Sequence, residues 1–147
     1  MRRSTKELPN GLSGRVIGID TNIIVRLLTR DDLEQFDAAV SLVKSSSADE
    51  PLFVNPMVIL ETIWVLERVY EVDRIVARNQ VSGLLDTVEI KVPETLRMEN
   101  WAQWFTSPHA DFSDVIIADL NRANGCEKTM TFDRKAANSV PGMELLT

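Results

Sequence analysis

The side chains of this chain that could do chemistry are mainly acids, and two of them directly follow apolar runs of strand length. Asp20 follows residues 16–19, and Asp133 follows residues 128–132. In parallel α/β sheets, ligands bind beyond the carboxyl ends of the strands. Carboxylate oxygens at such a place suit a hard cation such as Mg²⁺ or Mn²⁺. This chemistry points towards phosphodiester cleavage.

Two further acids lie on predicted helices that start from the same edge of the sheet. Glu61 interrupts the apolar stretch of residues 57–66, and Asp114 opens another apolar helical stretch. A helix that is apolar all round is normally buried, so we expect Glu61 to be buried and to need a charged or hydrogen-bonding partner. His109 and Cys126 are the only histidine and cysteine. This excludes metal clusters built on those residues and leaves an all-oxygen site.

Each of these acids also has a purely structural explanation. Asp20 and Asp133 could cap the helices that follow them, and Asp111 with Asp114 resembles a capping arrangement. Glu61 cannot cap a helix, and its structural alternative is an ion pair with a base. The shared site is favoured because four independent coincidences at one sheet edge are less frequent than one common cause.

The net charge does not favour a nucleic-acid ligand. The 147 residues are expected to form one domain, and their formal net charge is −6. Nucleic-acid-binding domains usually carry a basic face. Five bases could still form a local basic rim near the acids, or they could be scattered over a solvated surface: Arg26, Arg30, Arg122, Arg134 and Lys135.

The single cysteine and the first residues bear on the compartment. Cys126 has no partner for a disulfide within the chain, which favours a reducing compartment such as the cytoplasm. We expect its side chain to be a small buried hydrophobic group. Residues 1–14 lack the apolar core of a signal peptide and are predicted to be a flexible extension before a folded domain at residues 15–147. No stretch is long enough to span a membrane.

Short apolar runs alternate with helix-like segments, which predicts a parallel sheet covered on both faces. Trp64, Trp101 and Trp104 stand on helical segments and are expected to pack in the core or in an interface. The strands are predicted at residues 16–19, 52–54, 88–92, 128–132 and 144–146, and the helices at residues 22–29, 31–44, 55–70, 73–85, 111–124 and 133–138, with one more ending near residue 105.

Four segments together resemble the PIN-domain ribonucleases, especially the VapC-type toxins. Residues 16–22 (VIGIDTN) resemble the opening strand of that family, and residues 60–66 (LETIWVL) resemble the helix with its second acid. Residues 110–118 (ADFSDVIIA) and 131–135 (TFDRK) resemble the segments with the third and fourth acids. The resemblance extends from about Val16 to Leu146. It implies a three-layer α/β/α sandwich around a parallel sheet of about five strands.

The resemblance also implies roles for the acids. Asp20 and Asp114 correspond to direct metal ligands. Glu61 and Asp133 correspond to residues that complete the carboxylate pocket, and they are further candidate ligands. Four residues are implied as auxiliary, Asp111 as an additional acid and the others as hydrogen-bonding partners of the ligands: Asp111, Thr21, Asn22 and Thr131.

The implied activity is a Mg²⁺- or Mn²⁺-dependent endoribonuclease with one or two ions. Arg134 and Lys135 would contact RNA phosphates. The family further implies a homodimer and a small VapB-like antitoxin that places an inhibitory segment in the site. Two alternatives stay open: a PIN nuclease of RNA processing outside a toxin module, and a catalytically silent binding module in which the acids are structural.

Overall fold

The computed structural model of the chain describes residues 14–93 and 111–147. The predicted extension at residues 1–14, except for Gly14, lies outside the described residues. The helix expected to end near residue 105 also lies outside them, and with it Trp101, Trp104 and His109.

Five short parallel strands form the sheet structure, as the alternating pattern predicts. The strands are β1 (Ile17–Gly18), β2 (Leu52–Phe53), β3 (Ile90–Lys91), β4 (Thr129–Thr131) and β5 (Met143–Leu145). They pair in two ladders, β1-β2-β3 and β4-β5. Leu52 of β2 lies opposite both Ile17 and Ile90, and Thr129 lies opposite Met143. The α/β fold class is therefore confirmed. Strands β1 to β4 are shorter than their predicted runs, and β5 has the predicted length but begins one residue earlier.

The helices begin where capping residues precede apolar stretches. They are α1 (Thr21–Thr29), α2 (Leu33–Lys44), α3 (Pro56–Arg68), α4 (Arg74–Leu85), α5 (Phe112–Ala123) and α6 (Arg134–Ser139). A side-chain oxygen of the preceding residue accepts a hydrogen bond from a first-turn amide in every case, from Asp20, Asp32, Asn55, Asp73, Asp111 and Asp133 respectively. Such caps satisfy amides that lack a partner within the helix.

The core lies between the three-stranded ladder and helices α1, α3, α4 and α5. Ile24, Leu52 and Ile59 are fully buried there, and Leu66 and Ile116 are almost so. A second, smaller cluster joins α5 to the region of α6 and β5 through buried Val115, Ala118 and Val140. Helix α5 therefore contributes to both clusters, which connects the two ladders through one element.

Helix α3 is buried on one face only, so the expectation of a helix buried all round is wrong. Its buried residues, such as Val58 and Ile59, lie on one side of the helix. On the other side, Met57 is 69% exposed, Trp64 is 57% exposed and Glu61 is also exposed. The sequence misleads here because two of the exposed positions carry large apolar residues.

Trp64 does not pack in the core of this chain, and packing in an interface stays a prediction for it. The expectation that Cys126 is buried is wrong. Cys126 is exposed, because it follows the end of α5 in the turn that leads to β4. Within residues 14–93 and 111–147, no helix has the length and apolar character needed to cross a membrane.

Candidate active site at the carboxyl edge of the sheet

Asp20 directly precedes α1 and lies beyond the carboxyl end of β1. Its Oδ1 accepts a hydrogen bond from the amide of Ile23 at 3.3 Å, and the residue is exposed. Next to it, Thr21 is buried and Asn22 is exposed. Asp20 is therefore a helix cap in fact. The bond to the helix uses one carboxylate oxygen, and the other is available by its chemistry to a cation.

Asp133 occupies the equivalent position after β4. Its Oδ1 accepts from the amide of Ala136 at 3.1 Å, and its own amide donates to Oγ1 of Thr131 at 3.0 Å. Thr131 thus fixes the backbone at the point where β4 turns into α6. Asp133 is exposed, so its carboxylate is accessible to solvent while its backbone is held in place.

The start of α5 places two acids one turn apart. Asp111 caps the helix and accepts hydrogen bonds from the amide of Ser113 at 3.2 Å and from its hydroxyl at 3.1 Å. Asp114 lies in the first turn, where the helix dipole favours negative charge, and it is half-buried.

Asp114 is the acid on which the charges of Asp111 and Asp133 act. Burial raises the pKa of its carboxyl above the ordinary value, and the negative charges of Asp111 and Asp133 raise it further. Like charges disfavour ionisation only when they are near one another. The fold therefore brings Asp111, Asp114 and Asp133 into one electrostatic neighbourhood, although they come from two different helix starts.

The raised pKa of Asp114 makes a pH-dependent prediction for the metal-free protein. Between the ordinary pKa near 3.8 and the raised value, the folded state binds more protons than the unfolded state. The free energy of unfolding therefore falls as pH rises through that window. Asp114→Asn should remove this decrease of the free energy of unfolding, because asparagine does not ionise. Urea unfolding in EDTA, from about pH 3.5 to about pH 7, should show the variant gaining stability relative to wild type as pH rises. A constant difference would contradict the assignment.

Glu61 reaches the same region from α3. It lines a cleft of about 440 Å³ between α3, α4 and the start of α5. Asp111 and Ser113 lie on the opposite wall of that cleft. Glu61 stands in the second turn of α3 and is exposed, so it needs no buried partner, contrary to the expectation from its apolar neighbours.

Arg78 is a residue of this region that the sequence analysis missed. It is 2% exposed and lies at the back of the cleft, with its guanidinium carbon 6.0 Å from the ring centre of Phe112. Burial lowers its pKa, as does Arg74, while the negative charges of Glu67 and Asp111 raise it. A signal was present, because Arg78 shares a helical face with the buried Val81 and Leu85.

We predict that Arg78→Met lowers the free energy of unfolding by about 1–2 kcal/mol. Methionine keeps an apolar stem of similar length but removes the charge that lies against Phe112 and near Asp111. Arg74→Met is the matched control, because Arg74 makes an exposed pair with Glu67 at 3.1 Å and such pairs contribute less than about 1 kcal/mol. Urea unfolding measures both variants. An equal or larger loss in the control would contradict the prediction.

Three of the five bases that could form a basic rim lie elsewhere, which agrees with the alternative of bases scattered over the surface. Arg26 is near the far end of α1, where it pairs with Asp31 at 2.9 Å and donates to Tyr70 at 3.2 Å. Arg30 stacks over Phe36 just after that helix. The nine residues of α1 span about 13 Å, which separates this end from Asp20.

Of the remaining three bases, one lies away from the candidate acids and two lie next to one of them. Arg122 is near the far end of α5 and pairs with Asp119 one turn earlier. Arg134 and Lys135 are exposed in the first turn of α6, next to Asp133. Only these two bases of the proposed rim therefore stand close to an acid of the candidate site.

The donor atoms at this edge are carboxylate oxygens, which fit a hard divalent cation. The mutual charge effects on Asp114 also fit such an ion, because a cation would relieve them. Among residues 14–93 and 111–147, however, no three acid, histidine or cysteine side chains lie close enough to hold one ion together.

The fold is an α/β domain in which Asp20, Asp111 and Asp133 cap helices and the charges of Asp111 and Asp133 act on Asp114. The sequence pattern of the PIN domain matches residues 17–140. This match covers most of the chain, and the chain belongs to the PIN-domain family. PIN domains are generally metal-dependent nucleases.

Comparison with individual proteins adds little. No curated protein matches the chain. Among solved structures, a chain in the crystal structure of VapBC2 from Rickettsia felis, bound to a DNA fragment from its promoter, is 13% identical. The match covers 89% of this chain and 97% of that chain, with a TM-score of 0.36. A similarity of this strength carries no conclusion about function.

Proposed function

We propose that this protein is a metal-dependent endoribonuclease that cleaves RNA phosphodiester bonds, and that it is the toxin of a VapBC-type toxin–antitoxin module. The observation that carries the proposal is the match of the PIN-domain pattern to residues 17–140. The charges of Asp111 and Asp133 that act on Asp114 agree with it, because a cation site brings acids near one another.

The acids would together hold one or two ions of Mg²⁺ or Mn²⁺. Asp20 and Asp114 are the proposed direct ligands, and Glu61 and Asp133 complete the pocket. Asp111 adds charge beside Asp114. When bound, the ion would supply an activated water and stabilise charge on the phosphoryl oxygens. No side-chain nucleophile is needed for this chemistry.

The residues of the chain itself would position these ligands and the substrate. Thr131 holds the backbone amide of Asp133, and Thr21 and Asn22 flank the cap formed by Asp20. Arg134 and Lys135 are exposed beside Asp133, where they would contact RNA phosphates.

The toxin assignment is supported by the four motif segments that resemble VapC-type proteins. It includes a homodimer, a cytoplasmic location and a small VapB-like antitoxin as partner. A silent binding module is the second candidate, and a specific observation favours it: Asp20, Asp111 and Asp133 each cap a helix. The two candidates differ in whether the chain cleaves RNA.

The deciding experiment is to express the chain and to sequence the RNA 5′ ends that appear, with Asp20→Asn as the control. The nuclease should generate a discrete set of new ends that the control does not produce. Expression of the wild-type chain without any new 5′ ends, relative to cells that lack the chain, would reject the nuclease and favour the silent module. Suppression of the new ends by a co-expressed product of a neighbouring small gene would support the toxin–antitoxin pairing.

A further inference from the structure

One face of α3 carries an acid, an aromatic ring and a base in a single line. Only the acid, Glu61, has a role in the proposed chemistry. Met57, Glu61, Trp64 and Arg68 are spaced four, three and four residues apart, which puts them on one stripe of a helix. All four are exposed, and all four line the cleft of about 440 Å³. We call this set the α3 stripe.

The α3 stripe leads away from the candidate active site. Helix α3 begins at its cap Asn55, just beyond the carboxyl end of β2, so its first turns are nearest the edge where the acids gather. Glu61 lies on the stripe towards that edge, and Arg68 is the last residue of the helix. Two helical turns, about 10 Å, separate these two side chains along the axis. Trp64 stands between them.

The charged residues of the cleft favour a ligand on the α3 stripe, because the charged residues outside the stripe interact with one another. Glu67 pairs with Arg74 at 3.1 Å, and Arg78 acts on both Glu67 and Asp111. Among the residues that the structure describes, Arg68 forms no ion pair within 4.0 Å. Arg68 is therefore the cation of this cleft that is open to an added anion.

Resting on the proposed function, we propose that the α3 stripe binds single-stranded RNA next to the cleaved bond, with a base stacked on Trp64 and a phosphate on Arg68. An aromatic side chain beside a cation is the usual combination for single strands, because every base has a face that can stack. Glu61 separates the two apolar residues of the stripe and Arg68 ends it, whereas a protein-docking surface is usually a contiguous apolar patch. A duplex keeps its bases paired and cannot place one on Trp64.

The test uses a labelled single-stranded RNA 12-mer of mixed sequence and the same sequence as a duplex. Binding is measured in EDTA, so that cleavage does not interfere. Trp64→Leu should weaken binding of the single strand by about 5- to 150-fold, and Trp64→Phe should retain most of it because the aromatic face remains. Duplex binding should be weaker and insensitive to both changes.

Arg68 is tested by the dependence of the affinity on salt. Arg68→Gln should reduce the slope of log affinity against log salt by about 0.7, the value for one phosphate contact on a single strand. Arg74→Gln is the matched control in the same cleft and should leave the slope unchanged, because Arg74 is held by Glu67.

Cleavage by the full chain in Mn²⁺ separates this proposal from the proposed function. If wild type cleaves the 12-mer, Trp64→Leu should raise KM while kcat stays near the wild-type value. Unchanged affinity and KM in Trp64→Leu would overturn the stripe proposal and leave the nuclease intact. Unchanged RNA affinity with loss of self-association in Trp64→Leu would assign the stripe to a second copy of the chain. Absence of cleavage by wild type, with Trp64-dependent binding, would instead reject the nuclease and keep the stripe.

Discussion

Asp20→Asn and Asp114→Asn should each lower Mn²⁺-dependent RNA cleavage by more than ~100-fold, since even partners outside the ligand set commonly cost 10- to 100-fold. Asparagine keeps the shape of aspartate but removes the negative charge that a hard cation requires. At position 20 it also retains the cap, because asparagine caps helices as well as aspartate does. The variants should therefore stay folded, which circular dichroism and urea unfolding can check.

Asp119→Asn is a control on the same helix as Asp114. Asp119 is also partly buried, and burial raises the pKa of its carboxyl, but its neighbour is Arg122 and not another acid. Its replacement should leave the cleavage rate within a factor of about two of wild type, because its ion pair is local and partly exposed. A folded Asp20→Asn or Asp114→Asn variant that cleaves like Asp119→Asn would remove that residue from the metal site.

The second large effect is on stability in the presence of metal. A cation that binds only the folded state adds about 2.7 kcal/mol to the free energy of unfolding at a concentration of 100 Kd. Wild type should therefore melt at a higher temperature in Mn²⁺ than in EDTA. Asp114→Asn should lose this increase, and Glu61→Gln should weaken it. Because Glu61 is exposed, its replacement should change the melting temperature in EDTA very little.

Two outcomes would redirect the assignment of Glu61. An undiminished Mn²⁺ increase in Glu61→Gln would exclude it as a ligand and leave it as part of the α3 stripe. A marked loss of stability in EDTA would show that the carboxylate holds the fold, which its exposure on α3 argues against.

The helix starts could be predicted almost to the residue because each depends on a local rule. Asp32, Asn55 and Asp73 precede apolar stretches as caps, and Pro56 suits the first position of a helix. The strand positions were also predictable from their apolar runs. The shorter length of β1, β2 and β3 was not, because the pairing of β2 with both neighbours depends on residues distant in sequence.

The places of the candidate site residues along the helices were predictable, and the surroundings of these residues were not. The caps Asp20, Asp111 and Asp133 are visible in sequence because they directly precede helices. The exposure of Glu61 was not, because Met57 and Trp64 look like core residues when the cleft beside them is unknown. Arg78 is the opposite case: its position on the apolar face of α4 marks it as unusual, but only the fold shows that it lies against Phe112.

The double use of Asp20 and Asp133 has a consequence for how such a chain can change over time. The carboxylate groups that would serve the chemistry also accept the hydrogen bonds that begin α1 and α6. A lineage released from selection for cleavage would still need those helices to start. Substitutions at these two positions should then drift towards asparagine, serine or threonine and away from alanine or valine, which cannot cap. Inactive descendants would thus keep cap-forming residues at these two positions. Such replacements would show that a lineage had lost the chemistry while it retained the fold.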